Sequence, residues 1–142
     1  MFFFHKLHKR KLFAVRLGAY ILKEASSTPK VVIIATGSEV GIALDAQIAL
    51  EAEGVSTRVV SAPCLEWFNE QPISYRESVL PTSSLRVSIE AGIALGWREY
   101  VGDKGVIISL DHWGASASAA KLFTEFGLTS ERVVSDVKKA LA

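Results

Sequence analysis

The chain contains a single cysteine, Cys64, among its 142 residues. One thiol cannot form an intramolecular disulfide, and it cannot supply a cysteine cluster for a metal ion. Proteins without disulfides are typical of reducing compartments. We therefore expect a cytoplasmic location.

Long apolar runs are also missing, since no stretch approaches the roughly 20 apolar residues that a membrane-spanning helix requires. The first residues mix aromatic and basic side chains, so a secretory signal must be considered. A signal peptide needs an unbroken apolar stretch of about 7 to 15 residues after its charges. Lys6, His8 and Lys9 interrupt every such stretch. We predict neither a secretory signal nor a membrane partner.

Two common nucleotide-binding motifs are absent, because no Gly-Lys-Ser or Gly-Lys-Thr and no G-x-G-x-x-G occurs. Residues 1–16 hold five basic side chains and no acidic one, whereas the remaining 126 residues hold 11 basic and 15 acidic ones. A nucleic-acid-binding domain is expected to carry a basic patch. The acidic balance of the body argues against a nucleic-acid partner.

Hydrophobic residues make up 49% of the chain and charged residues 22%, as is typical of a globular domain with a core. Helical patterns alternate with strand patterns, which favours an open α/β sheet with helices on both faces. The first strand begins with four β-branched residues, as in parallel strands that are covered on both faces. The predicted strands are Val31–Thr36, Val55–Ser61, Leu85–Glu90 and Val106–Leu110.

Two long helices are predicted from apolar spacing and end signals. The first spans Ser38–Glu53 and should end at Gly54. The second should begin at a cap formed by Thr129 or Ser130. We expect the buried positions of the first helix to be Val40, Leu44, Ile48 and Ala52, with Ala43 widening the stripe, and those of the second to be Val133, Val134, Val137 and Leu141.

The corner after the first strand is the candidate binding site. Gly37 can adopt backbone angles that are closed to other residues, and Ser38 can accept a hydrogen bond from a free helix amide. Because a helix start can hold a small anion, we take Thr36, Gly37 and Ser38 as candidate anion-binding residues. The alternative is that these side chains serve only as helix caps and interdomain hydrogen bonds.

Other polar residues follow the ends of predicted parallel strands, where open α/β sheets bind ligands. Asp111 and His112 are adjacent, and neighbouring residues of a strand point to opposite faces, so we do not expect them to pair directly. His5 and His8 have no acid or cysteine nearby to complete a metal site. The further strand-end candidates are Glu39, Ser61 and Glu90.

Several large aromatic residues lie outside the predicted strands and long helices. They could fill the edges of the core, or they could form a face that meets another protein, because aromatic side chains are enriched in interface cores. These residues are Trp67, Phe68, Trp97, Tyr100 and Trp113.

An ordered series of short words resembles the C-terminal domain of transketolase. The series is GAYIL (18–22), IATGSEV (34–40), EGVSTRVVSAP (53–63), YRESVLP (75–81), EAGIALGW (90–97), YVGDKG (100–105), WGASA (113–117) and LFTEFGLTSERVV (122–134). Related deoxyxylulose-phosphate synthase and pyruvate-dehydrogenase-type subunits share this domain architecture. The YRESVLP and YVG words favour transketolase over them.

The resemblance implies a mixed five-stranded sheet with flanking helices, mostly parallel, with one strand antiparallel at the edge. It implies a third domain in a homodimeric enzyme that transfers a two-carbon ketol unit between sugar phosphates. The thiamine diphosphate and divalent metal of such an enzyme bind to its other two domains. We therefore expect no cofactor and no catalytic residue in this chain, and contacts with those domains and a second subunit.

The resemblance covers residues 18–142 as one domain. Residues 1–17 match nothing in the family, and we predict a loosely ordered basic and aromatic leader. Two origins would account for these unmatched residues. The chain is either a natural fragment with a foreign leader or the product of a truncated or misassembled reading frame.

Overall fold

The computed structural model describes residues 14–110, 112 and 115–142. Its strands form one sheet in the order β1-β3-β2-β4-β5. β1 pairs antiparallel with β3, and the other neighbours are parallel, as expected for a mixed sheet. The strands are β1 (Tyr20–Lys23), β2 (Val31–Ala35), β3 (Thr57–Ser61), β4 (Leu85–Ile89) and β5 (Val106–Ile108).

Helices cover both faces of this sheet, which confirms the predicted three-layer α/β architecture. The helices are α1 (Glu39–Ala52), α2 (Leu65–Asn69), α3 (Ile73–Val79), α4 (Trp97–Val101), α5 (Ala119–Glu125) and α6 (Ser130–Leu141). Residues of α1 and α6 pack in one core cluster, with Phe123 of α5 against it. Residues of α2, α3 and α4 pack in the cluster on the opposite face.

The central strand β2 is buried along its whole length, as the run of β-branched residues predicts. Successive side chains of a strand point to opposite faces. Ile33 accordingly belongs to the α1 side of the core and Ile34 to the α2 side. The sheet therefore separates two apolar layers that β2 holds together.

The predicted buried stripe of α1 is wrong in part. Ile48 is 59% exposed and Ala52 is also exposed, whereas Ala43 is buried as predicted. The other buried positions include Ala46, Gln47 and Leu50. A step of four residues turns an α-helix by about 40° beyond a full turn, so a stripe built only on that step leaves the buried face. Gln47 can be buried because its Nε2 donates to the Glu24 and Thr57 carbonyl oxygens.

The last helix begins at the predicted cap, since the Thr129 hydroxyl accepts a hydrogen bond of 3.2 Å from the Arg132 amide. Val133 and Val137 are fully buried, as predicted. Leu141 is 45% exposed, so its inward position was wrong. The four-residue step from Val137 turns Leu141 away from the buried face in the same manner.

The antiparallel edge strand β1 lies before the first strand predicted from the sequence, in a segment for which the apolar pattern gave no strand. Its register with β3 shifts between Ile21 and Lys23, which marks an irregularity at this edge. The predicted leader falls mostly outside the described residues. Its described part includes a turn in which the Leu17 amide donates to the Ala14 carbonyl oxygen.

None of the helices in the described ranges is both long enough and apolar enough to cross a bilayer.

Candidate functional site

The carboxyl ends of β2 and β4 bring together two polar residues that are 54 positions apart in the chain. Thr36 follows β2 and Glu90 follows β4, and these strands are parallel neighbours. The Thr36 hydroxyl donates a hydrogen bond of 2.9 Å to Glu90 Oε2. The sheet therefore joins two of the predicted strand-end residues.

A second carboxylate, that of Glu39, occupies the start of α1 at the same corner. Glu39 is only 3% exposed, and the Ser38 hydroxyl donates to its Oε2 at 3.2 Å. Ser38 makes no side-chain capping bond, so the predicted capping role is wrong. Gly37 has φ +48°, which confirms the need for glycine in this turn.

The corner is electrostatically negative. Burial raises the pKa of Glu90, the hydrogen bond from Thr36 lowers it, and the charge of Glu39 raises it again, with a net increase. A further anion at this corner would meet two carboxylates, whose charges repel it. The anion site at Thr36, Gly37 and Ser38 stays a prediction, and the charge around it does not favour it.

Replacing Glu90 with glutamine should stabilise the chain at neutral pH. The raised pKa means that ionised Glu90 carries a penalty in the folded state. This penalty is absent below the unfolded pKa and develops as the pH rises through the folded pKa. We expect Glu90→Gln to raise the free energy of unfolding by about 0.5 kcal/mol at pH 7, and the gain should vanish at low pH.

Urea unfolding at several pH values measures this effect. Glu70→Gln is the matched control, because Glu70 is exposed. The control variant should match the parent chain at each pH. A Glu90→Gln variant less stable than the parent at pH 7 would contradict the prediction.

A groove of about 430 Å³, lined by both polar and apolar residues, runs from this corner along the carboxyl edge of the sheet. Thr36 and Glu90 line one part of it, and Leu65 and Leu95 line another. Large apolar side chains of α2 and of the loop before α4 are exposed to solvent. We call the following set the carboxyl-edge surface: the groove residues Cys64, Leu65 and Leu95 (84% exposed), with Trp67 (50%) and Ile93 (65%) from the same two segments.

Ile93 and Leu95 were not singled out from the sequence. They lie between Gly92 and Gly96 in a loop, where neither helical nor strand period applies. The available signal was the presence of two large aliphatic residues in a glycine-bounded loop. Loops are normally polar at the surface, so such residues indicate a contact.

The predicted aromatic set divides between core and surface. Phe68, Trp97 and Tyr100 are buried, which supports the core-edge alternative for these three. The Trp97 and Tyr100 rings meet edge to face, with centroids 6.1 Å apart. Trp67 is half exposed, whereas Trp113 lies outside the described residues.

Of the remaining candidates, Ser61 and His112 lie within the described residues. Ser61 is the last residue of β3. The His112 ring contacts the Phe126 ring at a centroid distance of 4.5 Å. Asp111, His5 and His8 lie outside the described residues. Within the described ranges, no three His, Cys, Asp or Glu side chains are grouped to hold a metal ion.

A family model described as the transketolase-like TK C-terminal domain matches residues 18–129. This match spans more than half of the chain. The chain belongs to the transketolase C-terminal domain family. The predicted resemblance is thereby confirmed, as are the mixed sheet and the helices that flank it.

Curated relatives in this family are transketolases. The transketolase of Mycobacterium tuberculosis strain H37Rv is 47% identical over 133 residues, which cover 89% of this chain and 19% of the relative. The chloroplastic transketolase of Solanum tuberosum is 50% identical over 125 residues, or 86% of this chain and 17% of the relative. The chain thus spans about a fifth of the length of the curated relatives that it matches.

Solved structures show the same fold. A transketolase from Leishmania mexicana superposes with a TM-score of 0.84 at 40% identity, over 91% of this chain and 18% of that one. A chain of a split-gene transketolase, described as an inactive β4 tetramer, superposes with a TM-score of 0.69 at 26% identity. It covers 87% of this chain and 42% of that one.

Proposed function

We propose that the chain is a structural module of a transketolase that docks on the rest of the enzyme and on a second subunit of a homodimer. The parent enzyme transfers a two-carbon ketol unit between sugar phosphates in the cytoplasm. Family membership supports this proposal, together with the span of the chain, which is about a fifth of its transketolase relatives.

The carboxyl-edge surface is the observation that carries the docking role. Leu95 and Ile93, in the loop before α4, extend large aliphatic side chains into solvent, and the Trp67 ring of α2 is half exposed. Exposed apolar side chains of this size, when they group on one surface, mark a contact with another protein. The relatives are about five times longer than this chain, so the chain corresponds to only one part of a transketolase. We therefore take the remaining part of such an enzyme as the docking partner.

Thiamine diphosphate and the divalent metal of the parent enzyme belong, in this proposal, to its other domains. The described residues group no metal-ligating side chains, and the polar corner at Thr36 and Glu90 presents carboxylates where a diphosphate needs positive partners. The described residues at this corner do not fit the cofactor. We therefore assign this chain no step of ketol transfer.

Reconstitution with the missing part of an enzyme tests the docking role. The partner is Mycobacterium tuberculosis transketolase from which the residues that match this chain have been removed. The 142-residue chain should form a complex with it in sedimentation experiments. Leu95→Asp should weaken the complex at least about tenfold, because a carboxylate would be buried in an apolar contact.

The matched control is Ile48→Asp, which also places a carboxylate at an exposed isoleucine but lies on α1, in the layer on the opposite face of the sheet. This control should bind like the parent chain. Failure to form a complex, or equal weakening by both substitutions, would contradict the docking role. Assayed alone, the chain should not transfer a two-carbon unit, and reproducible turnover would refute a purely structural module.

A further inference from the structure

A second cavity, of about 270 Å³, lies between α2, α3 and α4 on the face of the sheet opposite α1. Phe68 and Tyr100 form an aromatic part of its wall, and Arg76 and Arg86 reach it from α3 and β4. Arg86 is the second residue of β4, so this cavity lies toward the amino end of the strands. Thr36 does not line it, although Glu99 and Tyr100 line both this cavity and the groove that starts at the Thr36 corner.

The two arginine side chains have no hydrogen-bond or ion-pair partner among the residues that the structure describes. Arg76 Nε is buried and has no hydrogen-bond partner within the described ranges. Neither Arg76 nor Arg86 forms a salt bridge with any residue that the structure describes. A guanidinium held away from water normally has its N–H groups paired.

Arg58, on the same face of the sheet, shows how this protein satisfies a buried arginine. Its guanidinium donates to both carboxylate oxygens of Glu24 and to two backbone carbonyl oxygens, those of Ser78 and Val79. Arg86 has no such set of acceptors, and burial lowers the pKa of its guanidinium. Two cationic groups whose donors have no partner among the described residues therefore line one cavity.

A third donor is available at Tyr100. Asn69 Nδ2 donates to the Tyr100 hydroxyl oxygen at 2.8 Å, which leaves the hydroxyl proton free to donate elsewhere. Burial is the main cause that raises the pKa of Tyr100, so the hydroxyl keeps its proton at neutral pH. The cavity thus offers hydrogen-bond donors of two chemical types.

Two carboxylates, those of Glu77 and Glu99, also line the cavity, and both residues are exposed whereas Arg76 and Arg86 are half-buried. Solvent and salt screen exposed charges more strongly than buried ones. The balance of charge inside the cavity is therefore set by the two guanidinium groups. An arginine fork matches the oxygen atoms of phosphate or carboxylate groups.

We propose that this cavity binds a small phosphate group, either inorganic phosphate or the head of a phosphomonoester, through the side chains of Arg76, Arg86 and Tyr100. The cavity volume is slightly below the usual range for organic ligands, about 300 to 1,000 Å³. A phosphate with a few attached atoms is thus a better match than a nucleotide. This proposal is independent of docking in a transketolase.

Phosphate titration of the isotopically labelled 142-residue chain, followed by NMR at constant ionic strength, tests the proposal. The Nε–Hε signals of Arg76 and Arg86 should shift in a saturable way, with half-saturation on the order of 1 mM. A parallel titration with glycerol phosphate distinguishes the two sources. Tighter binding of glycerol phosphate identifies a phosphomonoester site, and equal or tighter binding of inorganic phosphate identifies a phosphate site.

Arg86→Gln should weaken binding at least about tenfold, because it removes one charged donor fork. Tyr100→Phe, which keeps the buried ring, should weaken it by a smaller factor and provides a second variant if Arg86→Gln does not fold. Arg132→Gln is the matched control, since Arg132 lies on α6 in the opposite layer and pairs with Asp136. The control should leave binding unchanged.

Three results would overturn the proposal. The first is the absence of saturable shifts with either probe. The second is equal weakening by Arg86→Gln and Arg132→Gln, which would indicate attraction by overall charge alone. The third is a set of shifts centred on Thr36, Gly37 and Ser38, which would move the anion site to the strand-end corner.

Discussion

Gly18→Ala is expected to lower the free energy of unfolding by about 3 to 5 kcal/mol, which can unfold a domain of this size. Gly18 has φ +81°, a conformation that costs energy for any residue with a Cβ atom. A Cβ atom placed there would lie 2.3 Å from the Cys64 carbonyl oxygen and 2.3 Å from the Phe68 backbone nitrogen. Backbone atoms cannot rotate away as a side chain can.

Gly18 contacts the start of α2, so the substitution should also affect the carboxyl-edge surface. The Gly18 carbonyl oxygen accepts a hydrogen bond of 2.9 Å from the Cys64 amide, which joins the segment before β1 to the start of α2. Helix α2 carries Leu65 and Trp67 of the carboxyl-edge surface. A shift of this contact would therefore displace α2 as well as destabilise the fold.

Urea unfolding followed by circular dichroism measures the effect, and Gly41→Ala is the matched control. Gly41 lies within α1, and a Cβ atom there would meet nothing within 4 Å. Because alanine favours a helix interior, the control should gain about 0.5 to 1 kcal/mol. A Gly18→Ala variant within about 1 kcal/mol of the parent chain would show that this backbone contact is not rigid.

Arg58→Met is expected to cost about 3 kcal/mol, since two backbone carbonyl groups and one carboxylate lose the buried guanidinium that donates to them. Methionine preserves much of the apolar stem but cannot donate. The Ser78 and Val79 carbonyl oxygens would lose hydrogen bonds of 2.7 Å and 3.1 Å. The Glu24 side chain is 54% exposed and can regain water, so the unpaired carbonyl groups account for most of the loss.

The same pair predicts a pH dependence. Burial alone would raise the pKa of Glu24, but the hydrogen bond and charge of Arg58, with a further bond from the Ala25 amide, lower it overall. A depressed pKa contributes stability that is present above the unfolded pKa and is lost as the pH falls through the folded pKa. The difference between parent and Arg58→Met should therefore narrow under acidic conditions.

Arg132→Met provides the comparison for an exposed pair. Arg132 and Asp136 pair along one face of α6, and the Arg132 side chain is half exposed. Surface pairs of this kind contribute about 0 to 1 kcal/mol, so the control should lose little. Thermal and urea unfolding at several pH values distinguish the variants. Two results would contradict the prediction: equal losses of stability in Arg58→Met and Arg132→Met, or a difference between Arg58→Met and the parent chain that does not change with pH. Either would show that Arg58 does not anchor the end of α3.

Much of the fold followed from local patterns, because strand and helix signals act over a few neighbouring residues. The run at 31–34 predicted a doubly covered strand, and β2 is buried on both faces. Thr129 predicted the start of α6 through a contact only three residues long. Strand ends were less predictable, since pairing partners decide where a strand stops. Val55 lies outside β3 although its pattern continues into the strand.

The site depended on contacts across the sheet, which no local pattern contains. The Thr36 to Glu90 bond joins residues that are 54 positions apart, and the negative corner exists only because β2 and β4 are neighbours. The cavity lined by Arg76 and Arg86 likewise depends on residues of two distant elements, α3 and β4. A sequence pattern shows that an arginine is present, but only its surroundings show whether its donors have partners.

The turn at Thr36-Gly37-Ser38 shows both what the local sequence determines and what only the tertiary structure determines. Its sequence by itself determined that a strand ends there and a helix begins, and that glycine is needed, because backbone sterics act within single residues. The tertiary structure alone decided its electrostatic character. Charge acts through space, so the buried carboxylate of Glu39 and the carboxylate that β4 delivers at Glu90 make the corner negative.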